Sequence, residues 1–191
     1  MSMSAGRLNH WRLRVQAMVC LVFTRQQAAL ECFSTMLQIW PNDAYALASR
    51  AHLFAQLGRH DEAIVDATAL TRAHPKRSAA DWFNLAFLLE GAGRIDDAER
   101  AFTSAVELDP KLDRAWYGLG LVLIRQQRFE EAVLALKRNT ELQPMSPYGW
   151  YQLARVYIDR HDPDAARRII RHLKGFEPKI AAQLERETGL T

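Results

Sequence analysis

The chain has 191 residues, of which 49% are hydrophobic and 25% charged, a balance that excludes long-range disorder. Its net charge of +3 is too small an excess to mark a nucleic-acid-binding surface. No stretch approaches the ~20 uninterrupted apolar residues of a membrane span. Only Cys20 and Cys32 occur as cysteines, at a spacing that fits no metal or redox motif, and both read as buried free thiols on apolar helical faces.

Residues 1–9 read as a short polar tail. Arg7, Arg12 and Arg14 then precede the apolar run Val15 to Phe23, which looks like a short signal-peptide core. Gln16 interrupts that run and no small-x-small cleavage site follows promptly, so a structural first helix is expected there. Beyond it, Pro41, Pro75, Pro110, Pro144 and Pro178 succeed one another at spacings of 34, 35, 34 and 34, and Trp82, Trp116 and Trp150 at 34 each. A fixed period of this length marks one supersecondary unit used repeatedly. The repeats run about 10–43, 44–77, 79–112, 113–146 and 147–180, with one extra residue near Ser78.

Each repeat reads as two amphipathic helices. In the third, Trp82, Leu85, Ala86 and Leu89 share one helical face, and Gly91 and Gly93 stop that helix. Asp96 and Asp97 open the next, where carboxylates favour the positive end of the helix dipole. Ala98, Phe102 and Ala105 form its buried stripe, and Pro110 ends the unit. The second repeat carries Leu47, Ala51, Phe54, Gly58, Ala63, Ala67 and Pro75. The fourth carries Trp116, Leu119, Gly120, Leu123, Ala132, Leu136 and Pro144, and the fifth Trp150, Leu153, Ala154, Tyr157, Ala166, Ile170 and Pro178. The first is weaker, with Leu13, Ala17, Ala29, Phe33, Met36 and Pro41. Ala or Gly at repeat position 8 and Ala at position 20 let paired helices approach closely. Residues 181–191, with Ala181 and Leu184, suit a final capping helix and C-terminus, which covers the last repeat's apolar face. Nothing comparable covers the first repeat, so Trp11, Met18 and Val22 are expected to stay available, with a homodimer through that repeat as one use.

This grammar of Trp, Leu, Gly/Ala, Gly, Ala, Phe-like and Pro over ~34 residues resembles the tetratricopeptide repeat family, across residues 10 to 180. The resemblance implies an all-α, right-handed α-solenoid of about five helix-turn-helix hairpins with a C-terminal capping helix. The departures are Thr24, Gln127 and His161, which stand where Gly58 and Gly93 stand, and Asn139, where a small residue is usual.

No catalytic constellation stands out: no HExxH, no phosphate-binding glycine loop, no GxSxG. His60, Asp61 and Glu62, like His161, Asp162 and Asp164, fall at helix starts and read as capping residues. Asp96, Asp97 and Glu99 read as a solvated helix start, and Arg167, Arg168, Arg171, His172 and Lys174 as a solvated outward face. A non-enzyme without cofactor or metal is therefore expected.

The resemblance places the binding surface on the concave side, lined by the first helix of each repeat. It implies Tyr45, His52 and Gln56 in the second repeat, and Phe83, Asn84, Phe87 and Glu90 in the third. The fourth supplies Arg114, Tyr117, Leu121 and Arg125, and the fifth Tyr148, Tyr151, Gln152, Arg155 and Asp159. Aromatic and arginine side chains in such a groove anchor peptides. Of the residues of the family's carboxylate clamp, the register offers Ala48, His52, Asn84, Arg114 and Gly118, and only Asn84 and Arg114 fit. Of its asparagine ladder, Ser49, Asn84, Gly118 and Gln152 leave one rung. The expected role is a non-catalytic interaction scaffold holding a protein or peptide partner in a concave groove. The alternatives are a regulatory or targeting subunit of an enzyme complex, or a periplasmic or membrane-associated assembly factor. The expected location is the cytoplasm, and the periplasm if residues 1–23 act as a signal sequence.

Overall fold

The computed structural model describes residues 2–190, and among them only helices and their connections occur. The chain divides into two compact units, Met1–Leu88 and Leu89–Thr191, with the boundary inside one helix. The first unit contains α1 (Ser2–Val22), α2 (Gln26–Ile39), α3 (Ala44–Gln56), α4 (His60–Ala73) and most of α5 (Ala79–Gly91). The second contains α6 (Ile95–Leu108), α7 (Asp113–Arg125), α8 (Phe129–Leu142), α9 (Pro147–Asp159), α10 (Pro163–Lys174) and α11 (Pro178–Thr188). Helices α1 to α10 alternate as first and second helices of the five repeats.

Small residues set how closely the helices pair. Position 20 is Ala29, Ala63, Ala98, Ala132 and Ala166, each 0% exposed. Position 8 is Ala17, Ala51, Ala86, Gly120 and Ala154. A Cβ added to Gly120 would lie 2.7 Å from Leu136, so the second helix has moved into the space a methyl would take. Larger residues fill the two cores: Phe33, Phe102, Leu136 and Ile170, one turn on from position 20, and Leu53 and Val122 on first helices.

The proline and tryptophan ladders are bonded to each other. Trp82 Nε1 donates to the Pro75 carbonyl at 2.8 Å, Trp116 to Pro110 at 3.0 Å and Trp150 to Pro144 at 2.9 Å. The extra residue near Ser78 lengthens the first of these connections by one residue, and the bond is kept. Within that longer connection Ser78 Oγ accepts from Ala80 N, and Arg77 grips the nearly buried Asp81 carboxylate through Nε and Nη2 at 2.7 and 2.6 Å. In the first unit, Arg50 holds the buried Asp66 through two bonds of 2.7 Å and donates to Ser34 Oγ at 3.0 Å, tying α2, α3 and α4 together.

Position 15 ends the first helix of each repeat in the left-handed region. Gly58 and Gly93 sit there at φ 74°, and Thr24, Gln127 and His161 adopt φ of 55°, 60° and 58°. The three departures from the glycine pattern are thus strained turns of the same geometry. Position 16, just before four of the second helices, is arginine, and Arg59, Arg94 and Arg128 pair with Glu62, Asp97 and Glu131 three residues on. Asp162 breaks this row and accepts from Ala165 N at 3.0 Å instead.

Three expectations are corrected at the first repeat and the cap. Residues 2–9 continue α1 rather than forming a tail, because Gly6 alone interrupts a run of helix-compatible residues. The C-terminal helix starts at Pro178, where proline suits the first helical turn, rather than at 181. Cys32 is buried, and Cys20 only half-buried. Burial, then its neighbour Cys20, pushes the Cys32 thiol above its ordinary pKa. Trp11, Met18 and Val22 are exposed along α1, and so is Phe23 just after it. Among the described residues no helix is long and apolar enough to cross a membrane.

An L-residue in the left-handed region costs roughly 1–2 kcal/mol, part of which is offset by the stiffer unfolded chain. Thr24→Gly and Gln127→Gly are expected to stabilise by about 0.5–1 kcal/mol, more for the β-branched Thr24, and Gly58→Ala to destabilise by about 1 kcal/mol. Nothing lies within 4 Å of a Cβ added at Gly58, so only the backbone is at issue there. Urea denaturation midpoints check all three. Trp116→Phe keeps most of the ring but removes the donor to Pro110, and should cost about 1 kcal/mol in the same assay.

Candidate functional site

The residues assigned to the concave side all lie on first helices, and each unit presents its own set. In the first unit α3 carries Tyr45 and His52, and α5 carries Phe83, Asn84 and Phe87. Tyr45 is half-buried, with its ring edge-on to Phe33 at 5.9 Å and the Arg14 guanidinium 4.1 Å over its face. It is therefore committed to packing the first two repeats. Phe83 and Phe87 stack at 6.5 Å between ring centres, and Phe87 is 64% exposed. His52, Asn84 and Phe87 border a cavity of about 260 Å³ between α3, α4 and α5, whose inner wall is Ala48, Ala51, Ala55, Ala67, Leu70 and Leu88.

In the second unit α7 carries Arg114, Tyr117, Leu121 and Arg125, and α9 carries Tyr148, Tyr151, Gln152 and Arg155. Arg114, Arg125 and Arg155 are exposed, while Tyr117, Leu121 and Gln152 are half-buried. Arg125 reaches Glu90 at 3.1 Å. Tyr148 is 70% exposed. Tyr151 turns to the capping helix, where its hydroxyl donates to Glu187 Oε2 at 2.6 Å and Gln183 Nε2 donates to Glu187 Oε1 at 2.8 Å. The Arg155 guanidinium lies 5.9 Å from the Tyr151 ring centre. The carboxylate of Glu187 raises the Tyr151 pKa above its usual value, with burial adding to it, and Tyr151 followed by Gln183 lowers that of Glu187.

Position 6, one row of the sequence-derived surface, is not uniformly available. A Cβ added to Gly118 would fall 2.4 Å from the Phe102 ring, so this place on α7 is filled by α6. Asn139 is buried and donates Nδ2 to the Asp113 carbonyl at 2.9 Å, and its Oδ1 lies where a side chain at Gly149 would begin, 2.1 Å from an added Cβ. The Asn139–Gly149 pair is thus a packing solution between α8 and α9. Sequence reasoning missed Glu187, the Arg50–Asp66 pair and the cavity beside Ala67. The last had a readable signal, since Ala67 stands where the other repeats carry Phe33, Phe102, Leu136 and Ile170.

The carboxylates weighed for chemistry are held in ion pairs or at helix starts. Asp97 pairs with Arg94 and Arg100, and Glu99 receives Arg128 and Gln126. Asp61 and Glu62 lie in the first turn of α4. Among the described residues no cluster of three His, Cys, Asp or Glu side chains could hold a metal ion. On the basic face of α10, Arg167 pairs with Asp164, Lys174 with Glu185, and His172 packs between Trp150 and Phe176.

Comparison with known proteins extends this description. Two tetratricopeptide repeat models match residues 83–147 and 147–172. The small glutamine-rich tetratricopeptide repeat-containing protein 2 of Mycosarcoma maydis is 35% identical over 83 residues, which is 44% of this chain and 23% of that protein. The chain thus matches less than a quarter of that relative's length. Among solved structures, a MamA protein superposes with TM-score 0.81 at 15% identity, over 96% of this chain and 97% of that one. YrrB, described as a TPR protein with an unusual peptide-binding site, gives 0.80 at 17% identity over 89% and 88%. MamA from Desulfovibrio magneticus RS-1 gives 0.75 at 19% identity over 94% and 97%. At these identities the likeness is one of fold.

The Tyr151–Glu187 bond makes docking of α11 on α9 depend on pH at both ends. Glu187 has a lowered folded pKa, so its contribution is present above the usual carboxylate value and is lost as pH falls through the lowered one. Tyr151 has a raised folded pKa, so its contribution is present below its usual 10.0 and is lost as pH rises through the raised value. Absorbance at 295 nm, read as wild type minus Tyr151→Phe, should show Tyr151 titrating later than a free tyrosine. In Glu187→Gln that titration should return towards the usual value.

Proposed function

Because this chain is a tetratricopeptide-repeat protein, we propose that it acts as a non-catalytic interaction scaffold whose first helices hold an extended partner peptide. The observation that carries the peptide reading is the solvent exposure of Phe87 and Tyr148, at 64% and 70%. Burying an aromatic ring on binding is favourable in proportion to the apolar area removed from water. Rings left uncovered on helices whose other faces are packed are therefore the natural anchors of an interface. Asn84 and Gln152 supply amides for a peptide backbone, and Arg114, Arg125 and Arg155 supply cations for acidic groups. The unusual peptide-binding site described for YrrB agrees with this reading as an analogy of fold.

The role of Tyr151 differs from that of its neighbours. Its hydroxyl is bonded to Glu187, so the ring face rather than the hydroxyl is what remains for a partner. Replacing Phe83, Phe87 and Tyr117 together by Ala should leave helical content unchanged by circular dichroism. It should also reduce capture of partners from the native cell by at least tenfold, the loss of about 1.4 kcal/mol. A folded triple variant that captures the same partners as the wild type would show that these first-helix aromatics are not the site.

A further inference from the structure

Position 24 of the repeat is a core position in four repeats out of five. Phe33, Phe102, Leu136 and Ile170 stand there, each at most 1% exposed. In the second repeat the residue is Ala67, and among the described residues no other side chain moves in to replace the missing one. A cavity of about 260 Å³ remains, with Ala48, Ala51, Ala55, Leu70 and Leu88 completing its apolar wall around Ala67.

The second unit shows what normally occupies this place. There the Phe102 ring presses against position 6 of the following first helix, which is Gly118, closely enough to exclude a Cβ. In the first unit the residue at position 6 of α5 is Asn84, and it lines the cavity across from Ala67. Ring and glycine in one unit are thus replaced by alanine, asparagine and a void in the other. The mouth is formed by His52, His60, Asn84 and Phe87, all exposed. The Asp81 carboxylate at the edge is already held by Arg77, so the polar groups left at the cavity are those of His52, His60 and Asn84 at its mouth. A void of this kind destabilises a fold in proportion to its volume, and an apolar cavity of ~150 Å³ is enough to take a benzene ring.

We infer that this cavity is an anchor pocket for an aromatic side chain of an extended peptide, which supplies from outside the ring that Phe33 and Phe102 supply from within their own repeats. The inference rests on the peptide-binding reading above and adds the residue class that the peptide must carry. Asn84, at the mouth, is placed to bond the peptide backbone on either side of that residue, and Phe87 to cover the inserted ring.

The test uses the full chain and two small probes, N-acetyl-phenylalaninamide and N-acetyl-alaninamide, followed by amide chemical shifts. The phenylalanine probe should shift Ala48, Ala51, Ala67 and Asn84, and the alanine probe should not. Ala67→Leu fills the void, so it should raise the melting temperature by a few degrees while weakening the phenylalanine probe at least tenfold. Ala55→Leu fills the void from the opposite wall and serves if Ala67→Leu does not fold. Unchanged binding in a folded filled variant, or shifts confined to other residues, would overturn the inference. A random-peptide display library separates this from the wider reading. Selected peptides should carry an aromatic residue on the wild type and lose that preference on Ala67→Leu. Peptides without aromatic preference on both proteins would overturn the pocket and leave the first-helix site standing. A library that yields no binder to either would overturn both.

Discussion

The close approach of paired helices at alanine is the constraint on which the rest depends. The alanines at position 20 are all without solvent exposure, and within each unit Ala29, Ala63, Ala132 and Ala166 let a second helix lie against small residues of its first. That separation decides what fits elsewhere. Phe102 reaches the backbone of Gly118 and Leu136 that of Gly120 because the helix axes are already near. Widening any of these pairs by one methyl would move the large side chains out of the gaps they fill.

The indole-to-proline bonds act on a different link of the same chain. Proline has no backbone N–H and cannot continue a helix, and Pro75, Pro110 and Pro144 lie in the connections just past the second helices, where their carbonyls are open to a donor. Trp82, Trp116 and Trp150 use that carbonyl and so join the end of one repeat to the start of the next. The two ladders keep a common period because donor and acceptor belong to one junction. Leu47 and Leu184 take the tryptophan position without a donor and are buried instead. The joint can therefore be made by apolar burial alone, and the bond adds direction to it.

Much of the architecture could be read in advance because its signals are local or periodic. Helix pairs, their limits near each proline, the small residues at positions 8 and 20, and the special turn at position 15 all follow from neighbours a few residues apart. Even the departures are informative: Thr24, Gln127 and His161 break the glycine pattern and occupy the left-handed turns that glycine occupies elsewhere. The start of α1 was not legible, since Ser2, Ser4, Gly6 and Asn9 are residue types of caps and turns and yet lie within the helix. Of the candidate site, its placement on the first helices was legible. The commitments of individual side chains were not, because Tyr45 is claimed by Phe33 and Arg14 and Tyr151 by Glu187, partners far off in sequence.

The sequence by itself determined the repeat, its period and the family of hairpins it builds, since each repeat restates the same local rules. Tertiary structure alone decided which outward residues remain uncovered and where the packing is incomplete. Ala67 is an ordinary helix former by any local measure. Its consequence, a void between three helices, appears only when α3, α4 and α5 converge and no side chain arrives to fill the gap. Asn139 and Gly149 show the reverse case, in which a polar side chain becomes acceptable because the opposing helix withdrew its own. Local preference sets the elements, and mutual exclusion of volume between elements sets the surface that remains for a partner.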